Sequence, residues 1–270
     1  MALSDEFINE EVLQLQGSPV AKTSKKKKSQ TGKKPIRKGQ SAQKRSLLRT
    51  ILRYAAGIVL FLFMLPIVLT VIYRFEIIHP VSTLMITRTL TFQPVNRDWQ
   101  SIDDIAPSLV QSVMMSEDGK FCTHSGVDWV ALRGVIDNAM EGERTRGAST
   151  LTMQTVKNLF LWNSRSYLRK GLEIPLALWL DLILPKKRIM EIYLNIAEWD
   201  EFVFGAEAAS RLYFKKSSKK LSYRQASLLA VTLPNPRNRD ASKPGRRMNK
   251  HAKIIQRRAK TSGAYVGCVN

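Results

Sequence analysis

Residues 55–73, AAGIVLFLFMLPIVLTVIY, contain no charged side chain. At about 1.5 Å per residue, nineteen helical residues reach about 28 Å, close to the hydrocarbon thickness of a bilayer. The alternative is a buried helix of a soluble domain, but such helices rarely lack a polar face. A cleaved signal peptide fits poorly, because the run is long, starts late and is followed by no A-x-A site. Pro66 falls mid-run, where membrane helices tolerate proline. Tyr54 and Tyr73 stand at the two ends, at the depth of the aromatic belts. The sequence therefore predicts one transmembrane helix over 54–74.

Charge then sets the orientation. The 270 residues carry 43 Lys+Arg against 22 Asp+Glu, a formal net charge of +21. Such an excess calls for an anionic partner: nucleic acid, a membrane surface or a phosphorylated substrate. Thirteen of the basic residues and only four of the acidic ones precede residue 54. Within that segment, 17–46 is Lys, Ser, Gly and Gln with almost no large apolar side chain, so residues 1–53 read as a disordered basic arm. The positive-inside rule keeps this arm cytoplasmic and puts 75–270 on the outer side of the membrane. That location, and the lack of an aromatic-basic stacking pattern, argue against nucleic acid as a partner. Two cysteines exclude a disulfide-dense scaffold, and three histidines do not suggest a His-cluster metal site. Whether Cys122 and Cys268 pair is not legible from the sequence.

Beyond the span, 75–100 reads as an extended connector with Pro80, Pro94 and short β-branched runs. Helical periodicity then dominates. It predicts helices starting near Asp103 or Asp104 and over 127–140, 150–160, 165–184 (with a kink at Pro175), 186–196, 205–213, 222–233 and 248–260. No strand pairs or repeats are evident. The expectation is a mainly α domain with one core over 101–262, followed by a tail over 263–270.

Four segments of this domain bear chemistry. SEDGKFCTHSGVDW (116–129) places Glu117 and Asp118 at a helix end, before a loop with Phe121, His124 and Gly126. RGASTLTMQTVKNLFL (146–161) puts Ser149 and Thr150 at a helix start. Gln154, Lys157 and Asn158 continue its polar stripe, and backbone N–H groups plus Lys157 make an anion site. In RSYLRKGLEIPLALWLDL (165–182), Arg169, Lys170 and Glu173 share one helix face. KKRIMEIYLNIAEWDEFVFGAEAASRLYF (186–214) reads mostly as structure. Taken singly, each has an ordinary explanation: solvated acids, an N-cap, an i,i+4 ion pair, close helix packing.

In this order, the four segments resemble the peptidoglycan glycosyltransferase domain of glycosyltransferase family 51. Its first motif, E-D-x-x-F-x-x-H-x-G, is met by Glu117, Asp118, Phe121, His124 and Gly126. The second, G-x-S-T-x-x-Q-Q-x-x-K-N, is met by Gly147, Ser149, Thr150, Gln154, Lys157 and Asn158. The third, R-K-x-x-E, is met by Arg169, Lys170 and Glu173. The fourth, K-x-x-I-L-E-x-Y-L-N, is met by Lys186, Ile189, Glu191, Tyr193, Leu194 and Asn195. The resemblance covers roughly 80–250. Met153 stands where the family has the first of two glutamines, which would remove a hydrogen-bonding group from the cleft. Met190 replaces Leu, Trp199-Asp200-Glu201 replaces a glycine-containing segment, and Gln225 stands where Glu is usual. The S-x-x-K matches at Ser24 and Ser217 lack the partners of a transpeptidase, so the likeness is to the monofunctional biosynthetic members.

The resemblance implies a lysozyme-like fold behind a single transmembrane helix, at the cytoplasmic (inner) membrane with the catalytic domain outside. It implies an enzyme that polymerises lipid II into β-1,4 glycan strands with inversion and release of polyprenyl diphosphate. Glu117 and Glu173 would be the catalytic carboxylates, Glu117 as general base. Asp118, Phe121, His124, Ser149, Thr150, Gln154, Lys157, Asn158, Arg169 and Lys170 would bind substrate and diphosphate. No cofactor is required, although the diphosphate leaves room for Mg2+ or Mn2+. The partners would be lipid II, the lipid-linked strand, the membrane and other cell-wall proteins. Two other readings compete: a lytic muramidase, because lysozyme-like folds also use glutamates, and a non-catalytic membrane adaptor.

Overall fold

The computed structural model describes residues 38–143, 147–164 and 166–269. Residues 1–37 of the expected arm lie outside them. One helix, α1 (Lys38–Ile72), takes in both the predicted span and the residues before it. It begins well ahead of the expected boundary at 54, because KRSLLRTILR holds no helix breaker and continues the helical phase of the span. Its stretch Ser46–Ile72 is long and apolar enough to cross a membrane. Side chains there, such as Phe61, Leu62 and Phe63, are about three-fifths exposed. A surface of this kind is stable only in an apolar surrounding.

The helix is tied to the domain at its C-terminal end. A helix leaves its last carbonyls without partners. Arg188, itself buried, donates to the carbonyls of Tyr73 (2.9 Å), Phe75 (3.0 Å) and Ile78 (2.5 Å). Arg74 reaches the carbonyl of Ile183 at 2.7 Å, and the indole N–H of Trp179 that of Ile67 at 3.3 Å.

The segment expected as an extended connector contains a helix, α2 (Thr83–Leu90). Its sequence, TLMITRTL, has poor helix propensity, but tertiary contacts override it. Ser82 caps Met85 N–H at 3.1 Å, Met85 is buried, and the Thr83 hydroxyl donates to Leu161 O at 2.6 Å.

The remaining helices are α3 (Pro107–Glu117), α4 (Trp129–Met140), α5 (Leu151–Phe160), α6 (Tyr167–Ile183), α7 (Lys186–Ile196), α8 (Ala206–Phe214), α9 (Tyr223–Thr232) and α10 (Arg246–Lys260). They fall within a few residues of the predicted ones. α6 runs through Pro175 as a single helix. α7 is the centre of the core: every residue from Arg188 to Ile196 is buried. α5, α6, α8 and the 3-10 turn Ile102–Asp104 pack around it, while α3, α9 and α10 pack on one another. Gln225 closes a capping box with Ser222 at the start of α9, a role that Gln fills as well as Glu.

Strand pairing does occur. β1 (Asn96–Arg97), β2 (Glu198–Asp200) and β3 (Val203–Phe204) form a small sheet in the order β1-β3-β2. β1 runs parallel to β3 and β2 antiparallel to it. Strands of two or three residues are too short to leave a period-two signal. Gly205, at φ +84°, leaves this sheet for α8; a Cβ there would sit 3.1 Å from the carbonyl oxygen of Asn195.

The C-terminal segment is not a tail. Gly263–Val269 forms 3-10 turns with Val266 and Val269 buried, and Cys268 is bonded to Cys122 across 146 residues of sequence.

Candidate active site

The loop after α3 is fixed from several directions. Val113 and Met114 are fully buried and seat α3, which brings Glu117 to its last turn. Asp118 leaves the helix and spans three elements. Its Oδ2 accepts from the Leu151 N–H at the start of α5 (2.9 Å) and faces Nε2 of His124 (2.9 Å). A carboxylate at a helix N-terminus meets free N–H groups and the positive end of the dipole. Phe121 is wholly buried, with the Lys186 ammonium 4.6 Å from its ring centroid. The same ammonium donates to the carbonyl of His124 (2.8 Å) and pairs with Asp181 (2.5 Å). Gly126 has φ +78°, and a Cβ there would come within 2.5 Å of the carbonyl oxygen of Ala177. The loop backbone therefore packs directly on α6, where no side chain fits.

Thr150 caps α5. Its hydroxyl accepts from Met153 N–H (3.1 Å) and donates to Gly126 O (2.6 Å). One turn on, Gln154 bridges two helices. Its amide N–H donates to Glu117 Oε2 (3.2 Å), and its carbonyl accepts from the Tyr193 hydroxyl of α7 (3.1 Å). Glu117 is otherwise bonded to the Ser116 hydroxyl (3.2 Å). Burial raises the Glu117 carboxyl above its ordinary pKa, and the hydrogen bonds from Gln154 and Ser116 and the charge of Arg239 oppose this only in part. Lys157, Asn158, Gln154, Tyr193 and Glu198 line a cleft of about 200 Å³. Burial, and the charges of Arg169 and Lys170, lower the Lys157 ammonium, with Glu173 acting the other way. Glu117, Asp118, Ser149 and Thr150 line a cavity of about 290 Å³.

Glu173 has a different surrounding. It is 2 % exposed on α6. One carboxylate oxygen is paired with the Arg169 guanidinium, and the other with the Lys170 ammonium at 2.8 Å. That ammonium also donates to the Ser149 hydroxyl at 2.6 Å, which links the third motif to the second.

Most of the sequence-predicted residues thus converge on one region: Glu117, Gln154, Lys157 and Asn158 along one run, and Ser149, Arg169, Lys170 and Glu173 in a second cluster. Phe121, His124 and Thr150 are seated as supports of the loop. Met153 departs from the expectation that its substitution empties the cleft. It is fully buried in the core, because a helix turns about 100° per residue and so points Met153 away from its neighbour Gln154. Three residues near the cleft escaped sequence reading as site residues: Tyr193, Glu198 and Arg239. Tyr193 lay within a recognised motif but was counted as part of its apolar face. Arg239 carries no local signal, since only the packing of α9 brings the following loop toward Glu117.

Among the described residues, the side chains form no ready-made cage for a divalent cation held by the protein alone. No three His, Cys, Asp or Glu among the described residues converge, and Glu173, the acid nearest the cationic cluster, is already engaged by two cations.

A largely shielded glutamate with a raised pKa, near the half-buried cations Lys157, Arg169 and Lys170, is the arrangement expected of an enzyme that moves a proton next to an anionic group. The chain belongs to the transglycosylase family, whose model matches residues 84–260. It is similar to the biosynthetic peptidoglycan transglycosylases of three bacteria. It is 54% identical to that of Rhizobium meliloti (strain 1021) over 86% of this chain and 98% of the relative. For Agrobacterium fabrum the identity is 56%, over 82% and 98%. For Brucella suis it is 59%, over 80% and 96%.

Proposed function

We propose that this peptidoglycan glycosyltransferase polymerises lipid II by an inverting displacement in which Glu117 is the general base. The growing strand is the donor, held through its polyprenyl diphosphate, and lipid II is the acceptor. The acceptor 4-hydroxyl attacks the donor anomeric carbon and its proton passes to the Glu117 carboxylate. The bond from that carbon to the diphosphate oxygen breaks, and polyprenyl diphosphate leaves. One carbon–oxygen bond forms as one breaks, on opposite faces, so the α-linked donor yields a β-bond. The observation that carries the assignment is the surrounding of Glu117, whose side-chain partners are the neutral Gln154 and Ser116. A base so held keeps its lone pairs for a proton, and a raised pKa strengthens it.

Lys157, Arg169 and Lys170, with the Ser149 hydroxyl, supply the charge that a leaving diphosphate needs. Glu173 orients Arg169 and Lys170. Asn158 lines the diphosphate side of the cleft, while Asp118, Phe121, His124 and Thr150 keep the Glu117 loop in shape. The basic residues preceding the span favour a cytoplasmic N-terminus and an outer catalytic domain at the inner membrane. A bonded Cys122–Cys268 pair suits an oxidising compartment outside the cytosol. The lipid tails of both substrates would then stay in the bilayer beside the domain, and other cell-wall proteins would meet it there.

The test is lipid II turnover by the purified full chain, with products sized on a gel. The expected product is a ladder of glycan polymers. Absence of polymer, with soluble muropeptides released from intact sacculi instead, would overturn the reading in favour of lysis.

A further inference from the structure

The charge of α10 is not used by the site described so far. Its buried face, Ala252, Ile255 and Ala259, packs toward α3 and α9. The rest of the helix exposes Arg246, Arg247, Lys250, Lys253, Arg257 and Arg258 with no Asp or Glu among them. None of these six forms an ion pair with a described residue. Arg246 and Arg247 occupy the first turn, where the helix dipole is positive and a cation is unfavourable. The arrangement works against folding, which suggests that a ligand offsets it.

A cavity of about 670 Å³ opens at this end of α10, lined by Arg239, Asp240, Lys243, Arg246, Arg247 and His251. The acid in it is already spoken for. Asp240 accepts from the Ser242 N–H (2.7 Å) and hydroxyl (2.6 Å) and from the Lys243 N–H (3.2 Å). Arg239 is close enough to Glu117 for its charge to oppose in part the upward shift that burial imposes on that carboxyl. Arg239 thus lines the same cavity as Lys243 and as Arg246 and Arg247 at the exposed end of α10, and its charge also reaches Glu117. The end of the span, by contrast, is bonded to α6 and α7 and stacks Tyr73 on Phe160 of α5. The basic track lies on other helices than those that hold the membrane anchor, which favours a polymer over the lipid surface as its occupant.

We propose that the groove from Arg239 across Lys243, Arg246 and Arg247 and along α10 binds the carboxylate-bearing peptide stems of the glycan strand, holding the strand on the enzyme between additions. The inference rests on the polymerase reading above. A strand built from disaccharide-pentapeptide units repeats at least one carboxylate per unit, so it is a regular polyanion. Single exposed ion pairs are weak. Several along one polymer act together, because each attachment raises the local concentration of the next. The track therefore affects how long a strand stays bound more than how fast one bond forms.

The experiment compares the full chain with its Lys243→Gln/Arg246→Gln/Arg247→Gln variant in nanodiscs. Both are given lipid II, or lipid II with its stem carboxylates amidated. On native lipid II the variant is expected to make strands shorter by about tenfold at low salt, below the roughly 10²–10⁴-fold that linked attachment can supply. On amidated lipid II the two proteins make strands of equal length. A Lys250→Gln/Lys253→Gln variant repeats the test on the exposed face of the helix, should the first variant not fold. Equal strand lengths on native lipid II would overturn the proposal. So would a defect that persists with amidated stems, or one that appears only when the nanodisc lipid is anionic.

A second arm does not depend on polymerisation. Burial, with Arg239 and Arg258, lowers the pKa of His251. A bound polyanion should raise it, which proton NMR of a chain with three histidines can follow. Purified peptide-bearing glycan fragments are added to the full chain. An upward shift of the His251 midpoint is expected, and no shift overturns the track even in a protein that polymerises. If the wild type makes no polymer but the fragments still shift His251, the polymerase reading fails and the binding site stands.

Discussion

Glu117 on α3 and Glu173 on α6 are the same residue type, placed in opposite surroundings. Glu117 accepts from an amide and a hydroxyl, and burial raises its pKa. Glu173 is buried more deeply, yet both of its oxygens face cations. A carboxylate with neutral partners and a raised pKa takes a proton more readily than an ordinary glutamate. A carboxylate locked between Arg169 and Lys170 is committed to holding them. In the proposed mechanism the division of labour between the two acids is set by their neighbours, as in other enzymes that run acid and base chemistry from paired carboxylates.

The contrast can be broken most sharply at Glu117. Glu117→Gln should lower lipid II polymerisation by roughly 10²–10⁴-fold, the usual contribution of a general base, with the circular dichroism melt still cooperative. Retained activity would remove Glu117 from the chemistry. The same variant tests the electrostatics. A carboxyl whose folded pKa is raised binds its proton more tightly folded than unfolded. Stability therefore falls as pH rises from the unfolded value, about 4.5, through the raised one. Above that window the charged Glu117 is a standing cost, so Glu117→Gln should melt no lower than wild type at neutral pH.

Glu173→Gln should do the reverse. It leaves Arg169 and Lys170 without their shared counter-charge beside Lys157. The loss is about 2–3 kcal/mol in denaturant unfolding, toward the low end for a broken buried pair because the Lys170 side chain is 35% exposed. A variant as stable as wild type would dissolve the distinction between the two acids.

A pH–rate profile is the next smaller effect. The acid limb of kcat/KM should fall at a pH above the ordinary glutamate value, and it should move down in Gln154→Glu only if the new carboxylate stays neutral. The simpler variant Gln154→Ala removes a donor that favours the charged form. It should move the limb upward by a fraction of a pH unit. Smallest of all for activity is Met153→Gln, which restores the residue usual in the family. Because Met153 is fully buried, the new amide would lack partners and cost about 1–3 kcal/mol of stability without raising turnover. A gain in turnover would return this position to the cleft.

Much of this was legible in order along the chain. The uncharged run 55–73 announces α1, and apolar periodicity places α3 to α10 to within a few residues. The spacing of Glu117, Gln154, Lys157 and Glu173 marks the candidate site. These features are local: a helix announces itself within two turns, and a motif within a dozen residues. What stayed hidden depends on contacts between distant segments. α2 is a helix because Ser82, Met85 and Leu161 hold it, against the preference of its β-branched residues. β3 pairs through Val203 and Phe204 with β1, a hundred positions earlier. Cys122 meets Cys268 only because the last turns fold back onto the core.

The sequence by itself determined that this chain carries one bilayer-length helix, a helical domain behind it, and acids and cations spaced for chemistry on an anionic substrate. Composition and period fix these without reference to the rest of the chain. Only the tertiary structure decided which carboxylate stands among neutral donors and which is clamped by cations. It also turned Met153 inward and brought Arg239 within electrostatic reach of Glu117. Burial and charge at a site are sums over neighbours, and the neighbours that matter here are supplied by separate helices.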